Sequence, residues 1–274
     1  MPKIDSSIEQ INSLLRGMPK LLYRYSTIAG REDRLKSLIV DSELYCVSPS
    51  KFNDPLDCQI PFVLRGTKQQ KREYLRNVIK RQKLGMRAAD VKKAANDLER
   101  SLKTKAGKAA FDARNNERNN SYGIVSLSKH PDNMLMWSYY ADSHKGIAIR
   151  FNMDVDLLER TSEILIPIEM QYEHEMPENN LLDIESNNVG FITTAFGTKS
   201  KAWDHEDEWR LVSPSGEGVV NIPTELIDGI ILGMNISDEH ERLVKEWIEL
   251  RSAPVELFRV THKRNSFDLE VVPV

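Results

Sequence analysis

The sequence predicts an α+β protein, a mostly antiparallel β core with flanking helices and one basic helical insertion. Three observations predict it. Short apolar runs recur at Leu21 to Tyr25, Tyr122 to Leu127, Gly146 to Phe151 and Gly229 to Gly233, each with the length and punctuation of a strand. Outside one segment, strands outnumber long helices, and several are spaced to pair as hairpins. Charge is segregated: Leu64 to Arg118 holds 17 Lys and Arg against 6 Asp and Glu, a balance of +11, while the remainder carries 21 against 35, or −14.

In chain order, Ser6 with Glu9 forms a capping box for a first helix using Ile8, Ile11, Leu14 and Leu15, closed by Gly17. A strand follows at Leu21 to Tyr25, then a short helix marked by Leu35, Leu38 and Ile39. A second strand runs from Glu43 to Ser48 and stops at Pro49. The loop from Pro49 to Pro61 contains Phe52, Asn53, Asp54 and Asp57. From about residue 67 to 120 the pattern becomes helical, with Tyr74, Val78 and Ile79, and then Val91, Ala95, Leu98 and Leu102, on either side of a break at Gly85. This reads as two or three helices: the end, Ala106 to Asn120, is polar and rich in asparagine, and a mobile loop is the alternative to a third helix there. Beyond it, Asp132 or Asn133 can cap a helix reaching Tyr140. Strands near 146–151 and 164–170, a helix near 187–197 and a strand through Glu208 come next. A strand at 229–233, a helix from Ser237 and a hairpin of 255–262 with 267–272 complete a single domain over residues 1–274.

With 274 residues, 40% of them hydrophobic, the chain can bury a full core. It contains no apolar run near the roughly 20 residues needed to cross a bilayer, and its start lacks the apolar core of a signal peptide, which points to the cytoplasm and to no membrane partner. Cys46 and Cys58 lack metal-binding spacing and read as buried structural thiols. The basic insert is suited to neutralise phosphates of a nucleic acid, yet it has no aromatic residues interleaved to stack bases. A solvated face, or docking against the acidic remainder, explains the same charge.

Trp203 to Leu211, WDHEDEWRL, is the most informative segment. Read as a strand, it puts Glu206, Glu208 and Arg210 on one face and Trp209 and Leu211 on the core face. Adjacent carboxylates repel, so the pair either lines a cleft or belongs to a charged edge strand in which Arg210 neutralises one of them.

The segments LYRY (22–25), FNDPLD (52–57), SLSKHPDNMLMWSYYADSHKGIAIRF (126–151) and KSKAWDHEDEWRL (199–211) together resemble the bacterial and phage family of domain of unknown function 2971, across most of the chain. That family name supplies no activity. A second resemblance is to ADP-ribosyltransferases, which share a split, mostly antiparallel β core with an Arg or His on an early strand, a Ser or Tyr element on a middle strand and a Glu on a late strand. It implies that Arg24 and Ser126 or Ser128 hold the phosphate and nicotinamide ribose of NAD. Glu208 would then stabilise positive charge as nicotinamide leaves, and Glu206 would orient the acceptor or the ribose. Tyr139 and His144 are further candidates for NAD contact; Tyr139 equally reads as core packing and His144 as part of a solvated turn in which Gly146 supplies a positive φ. The resemblance implies an unidentified protein or nucleic-acid acceptor and the role of a toxin or phage-defence effector. The sequence departs from the pattern in lacking a clear Ser-Thr-Ser.

Two other readings use the same cleft. Asp54, Asp57, Glu206 and Glu208 with Lys199 or Lys201 have the residue types of a magnesium-dependent nuclease, although the lysines precede the glutamates instead of following them. A binding module for a nucleotide or protein is the other. The transferase reading expects Arg24, Ser126 or Ser128, His144 and Glu208 on one concave surface, with Arg24 pairing Glu208.

Overall fold

The structure, a computed structural model, describes residues 14–82, 85–184 and 188–274. The Ser6 and Glu9 capping box lies outside the described residues; 14–17 are helical. In chain order the strands are β1 (Leu21–Ser26), β2 (Glu43–Cys46), β3 (Phe62–Val63), β4 (Gly123–Ser128), β5 (Ile147–Asn152), β6 (Ile166–Glu169), β7 (Gln171–Glu173), β8 (Asn179–Asn180), β9 (Thr198–Ser200), β10 (Glu208–Ser213), β11 (Gly218–Asn221), β12 (Ile227–Leu232), β13 (Glu256–His262) and β14 (Leu269–Pro273).

Eight strands form one sheet in the order β14-β13-β12-β5-β1-β4-β10-β6. Its pairings are antiparallel except β12 with β13, which the helix Asp238–Glu249 connects as a crossover. The α+β class and the mostly antiparallel sheet are as the sequence predicts. Val244 and Trp247 of that helix join Leu35, Leu38 and Ile39 of the helix Glu32–Val40 over one face, in a core with Leu22, Val125, Leu127, Ile149, Trp209 and Leu211. On the other face, Trp137 packs edge-on against Tyr25 at 5.1 Å, and Phe191 and Phe196 of the helix Asn188–Phe196 pack on Ile124, Ile168 and Val212.

The sheet is nearly divided in two. β1 and β5 share six register pairs, as do β4 and β10, whereas β1 meets β4 only at Tyr23 and Ser128. A shared pair at one point lets the two halves diverge beyond it, and the twist native to each half widens the gap.

The insert is three helices, Lys68–Gln82, Ala88–Ser101 and Lys105–Asn120, with Gly85 at φ +85° between the first two. Leu75, Ile79, Val91 and Ala95 give it a small core of its own. Of the two alternatives for Ala106 to Asn120, the third helix is the one observed, and the loop is corrected. Thr104 caps it by accepting the Gly107 amide at 3.0 Å, and two of its asparagine amides find backbone acceptors: Asn115 donates to the Phe111 carbonyl at 3.0 Å and buried Asn119 to the Cys58 carbonyl at 3.1 Å. Replacing Thr104 with alanine is expected to lower stability by about 1 kcal/mol, read as a drop in denaturation midpoint. An unchanged midpoint would show that the cap is dispensable.

Among the described residues no helix is long and apolar enough to cross a membrane. Cys46 and Cys58 are buried free thiols, as expected.

Candidate functional site

A cleft of about 550 Å³ opens where β1 and β4 part. Arg24, Ser126, Ser128, Tyr139, Glu206 and Glu208 all line it, although they come from the first strand, the middle of the chain and its late third. Alternation sets Arg24 on the face of Leu22, while Ser126, Ser128 and Glu208 lie on the opposite face with Ile124. They reach one concavity because the sheet is split between them.

The inner end is a buried ionic network. The strand expected to include Glu206 begins at Glu208. Residues 201–206 form a 3-10 turn, and Asp207 takes a left-handed conformation, φ +41°, that ends it. The two glutamates still come together on a cation, because Lys199 Nζ is bonded to Glu206 Oε2 and lies 3.0 Å from Glu208 Oε2. Arg210, with no exposed surface, donates through Nε to Glu208 Oε1 at 2.7 Å and through Nη1 and Nη2 to both oxygens of Asp57 at 2.9 and 2.6 Å. Its Nη1 also reaches the Phe196 carbonyl at 2.9 Å. Tyr140 Oη donates to Glu206 Oε1 at 2.6 Å, and the Glu208 amide donates to Tyr172 Oη at 2.8 Å.

These contacts divide the two carboxylates. Burial alone would raise both pKa values. For Glu208, Arg210 and then Lys199 outweigh burial and hold the pKa at about 2. For Glu206, burial outweighs Lys199, the proximity of Glu208 adds to it, and the pKa rises. Lys199 is raised despite its burial by the two glutamates. One carboxylate is therefore fixed in its charged form, and its neighbour is biased toward holding a proton.

The outer end is basic. Arg24 makes no side-chain hydrogen bond or ion pair with another described residue, so the expected pairing with Glu208 is corrected: Glu208 is engaged by Arg210 and Lys199. Burial lowers the Arg24 pKa to about 10, opposed by the Cys46 thiol and reinforced by Arg31 and Arg34. Arg31 and Arg34 line the same cleft. Arg34 lies over the Tyr45 ring at 4.1 Å, and the carboxylate at this end, Glu217, is committed to Lys51 at 2.7 Å and Tyr45 Oη at 2.5 Å. Sequence reading missed Arg31 and Arg34; their signal was the i, i+3 spacing at the N-cap and first turn of the short helix Glu32–Val40.

Three motif segments hold this geometry. Asp54 accepts from the Trp203 indole at 2.9 Å and Asp57 grips Arg210, so the FNDPLD loop is tied to the glutamate segment at both ends. Asn133 caps the helix Met134–Tyr140 by accepting from the Leu135 and Met136 amides, and its own amide donates to the His205 carbonyl. Ser126 is exposed on the cleft floor opposite Arg210, whereas Ser128 is buried and donates to the Glu206 carbonyl at 2.8 Å.

His144 stands outside the cleft. Asp142, Ser143 and His144 all have positive φ, between 47° and 66°, and form the turn that was expected at Gly146. Gly146 is instead required by close approach, since a Cβ there would lie 2.1 Å from the Ser26 carbonyl. The His144 ring stacks on Trp137 with 13° between planes, and burial lowers its pKa.

The nuclease residues are brought together only in part. Asp57 joins Glu206 and Glu208, but Asp54 faces Trp203, and Lys199 and Arg210 sit among the three carboxylates. Among the described residues no group of three or more His, Cys, Asp or Glu is arranged to hold a metal ion.

Residues 136–211 match a family model described as protein of unknown function (DUF2971). This bears out the family resemblance in the stretch that contains most of the helix Met134–Tyr140, Lys199, both glutamates and Arg210. No curated protein and no solved structure matches the chain.

Proposed function

We propose that the cleft binds NAD and that the protein cleaves its nicotinamide–ribose bond, as an ADP-ribosyltransferase-like or NAD-glycohydrolase-like enzyme. The observation that carries this reading is the charge split of the cleft. Its outer end holds Arg24, Arg31 and Arg34 without an ion-pair partner. At its inner end three carboxylates, Asp57, Glu206 and Glu208, face two cations, Lys199 and Arg210, for a balance of −1 whenever Glu206 is ionised. NAD has a matching polarity, with an anionic diphosphate separated by a ribose from a cationic pyridinium. In this reading the diphosphate lies on Arg24 and the nicotinamide ribose against Ser126 and Glu208.

When bound, NAD supplies a glycosidic bond to a cationic leaving group, and cleavage leaves positive charge on the ribose. Glu208, held ionised at about pKa 2, is positioned to stabilise that charge. Lys199 and Arg210 fix its orientation in advance. Glu206, whose pKa is raised, takes the proton of the incoming water or of the acceptor group. The exposed ring of Tyr139 at the cleft mouth offers a face for an aromatic ring. In the transferase form the acceptor is a protein or nucleic-acid group entering by the open side, with the basic insert as a further contact for nucleic acid.

The charge split makes a binding test available. NAD+ is expected to bind about tenfold more tightly than NADH, whose nicotinamide ring is neutral, because an uncompensated charge in a partly buried site is worth more than 1 kcal/mol. Calorimetry with both forms measures this. Equal affinities would overturn the placement of the nicotinamide at the glutamates, and absence of both binding and nicotinamide release would overturn the function.

A further inference from the structure

A second cavity, of about 740 Å³, lies between the insert and residues 59–65. It is larger than the cleft and falls within the range of about 300–1,000 Å³ typical of small-molecule sites. Its floor is apolar, built from Ile60, Phe62, Leu64, Leu75, Leu102 and Phe111. The cavity exists because the insert closes onto the core at one end only. In the helix Lys105–Asn120 the buried residues are Asn115 and Asn119, near its C-terminus. In its first half only Phe111 reaches the core cluster of Phe62, where it packs while partly buried, and it lines the cavity together with Phe62 and Leu64.

The rim has the opposite character. Lys68, Lys71, Lys103 and Lys108 line it, and none of them has an ion-pair partner among the described residues. Two of the three rim carboxylates are already paired: Glu99 with Arg72 at 3.4 Å, and Glu178 with Arg65, itself on the rim, at 2.6 Å. Asp112 alone remains to offset the lysines, which leaves four positive charges against one negative. A solvated helical face explains the lysines but not the apolar floor beneath them. A packing defect explains the floor but not four unpaired lysines lining the same cavity.

We propose that this cavity binds an anionic amphiphile, an aliphatic body with a phosphate or carboxylate head. The body lies on the floor formed by the leucines, Ile60, Phe62 and Phe111, and displaces water from apolar surface. The head sits among the four lysines. The aliphatic body follows from the branched side chains that make up most of the floor. This site is separate from the cleft and does not depend on the reading given to it.

The test uses the fluorescent anion 8-anilinonaphthalene-1-sulfonate on the full chain. Saturable binding at one site is expected, and the double variant Lys71→Ser/Lys103→Ser should weaken it about tenfold. Both lysines are outside the small core of the insert, so the melting temperature of that variant should match wild type and keep the comparison valid. Dodecyl phosphate below its micellar concentration should displace the probe, and decanol should not. Probe binding that is absent, or unchanged in the double variant, overturns the proposal. So does displacement by decanol as effective as by dodecyl phosphate, which would make the head irrelevant. Displacement by AMP but not by dodecyl phosphate would assign the cavity to a nucleotide and overturn the aliphatic body.

Discussion

Replacing Arg210 with methionine is expected to destabilise the protein by about 3–5 kcal/mol, the cost of stranding buried charge without its partner. For a chain of this size that corresponds to a fall in melting temperature on the order of 10 °C. Arg210 is fully buried and joins Asp57, Glu208 and the Phe196 carbonyl, elements separated by up to 153 residues. Methionine fills much of the volume but leaves Asp57 with Lys199 at 3.8 Å as its one cation, beside the weak Cys58 thiol donor at 3.4 Å. Arg210→Lys keeps the charge and loses the fork that reaches both carboxylates, so it should fall between the two. The pH dependence identifies the cause. The Glu208 pKa is depressed from 4.5 to about 2, so its stabilising contribution is present above pH 4.5 and is lost as pH falls toward 2. The raised pKa of Glu206 acts in the opposite sense, costing stability above its unfolded value. Wild type should therefore lose melting temperature between pH 4.5 and 2 more steeply than Arg210→Met, in which Glu208 has lost its main partner. Parallel melting curves across that range would show that Arg210 is not what holds Glu208 ionised.

Much of this arrangement was legible because it rests on local pattern. Alternation located β1, β4, β5 and β10, and the helix starts at Asn133 and Ser237 were visible as capping residues. The basic block marked the insert at borders within a few residues of its first and last helices. Arg24, Ser126 or Ser128, His144 and Glu208 were expected on one concave surface from the transferase resemblance, and the structure brings all but His144 to one cleft, with Tyr139 beside them. What escaped depended on contacts distant in sequence. Asn119 looks like a loop residue until its amide meets the Cys58 carbonyl, 61 positions earlier. Asp207 is an ordinary strand position by composition; its left-handed backbone is set by the 3-10 turn packed before it. The separation of β1 from β4 cannot be read from either strand alone, since it is the register of both that leaves them a single shared pair. Lys199 was noticed only as a candidate phosphate contact, because nothing near it in the chain announces that two glutamates will converge on its amine.

Glu208→Gln is expected to lower nicotinamide release by about 100- to 1,000-fold, the usual cost of removing one preorganised charge from a site where charge develops. The glutamine keeps the shape and one acceptor oxygen for Arg210. Arg210 retains its two bonds to Asp57, and Lys199 retains Glu206, so two cations still face two carboxylates and the network closes without the lost charge. The fold should therefore survive, in contrast to Arg210→Met. The kinetic signature separates the two ends of the cleft. Glu208→Gln removes an interaction made as the ribose becomes positive, so kcat should fall with little change in KM; Arg24→Ala removes ground-state contact with phosphate, so KM should rise with little change in kcat. Nicotinamide formation measured across NAD concentrations, together with a thermal melt of each variant, reads both effects. Turnover at the wild-type rate in folded Glu208→Gln would show that the charge fixed between Lys199 and Arg210 serves the architecture of the cleft and not its chemistry.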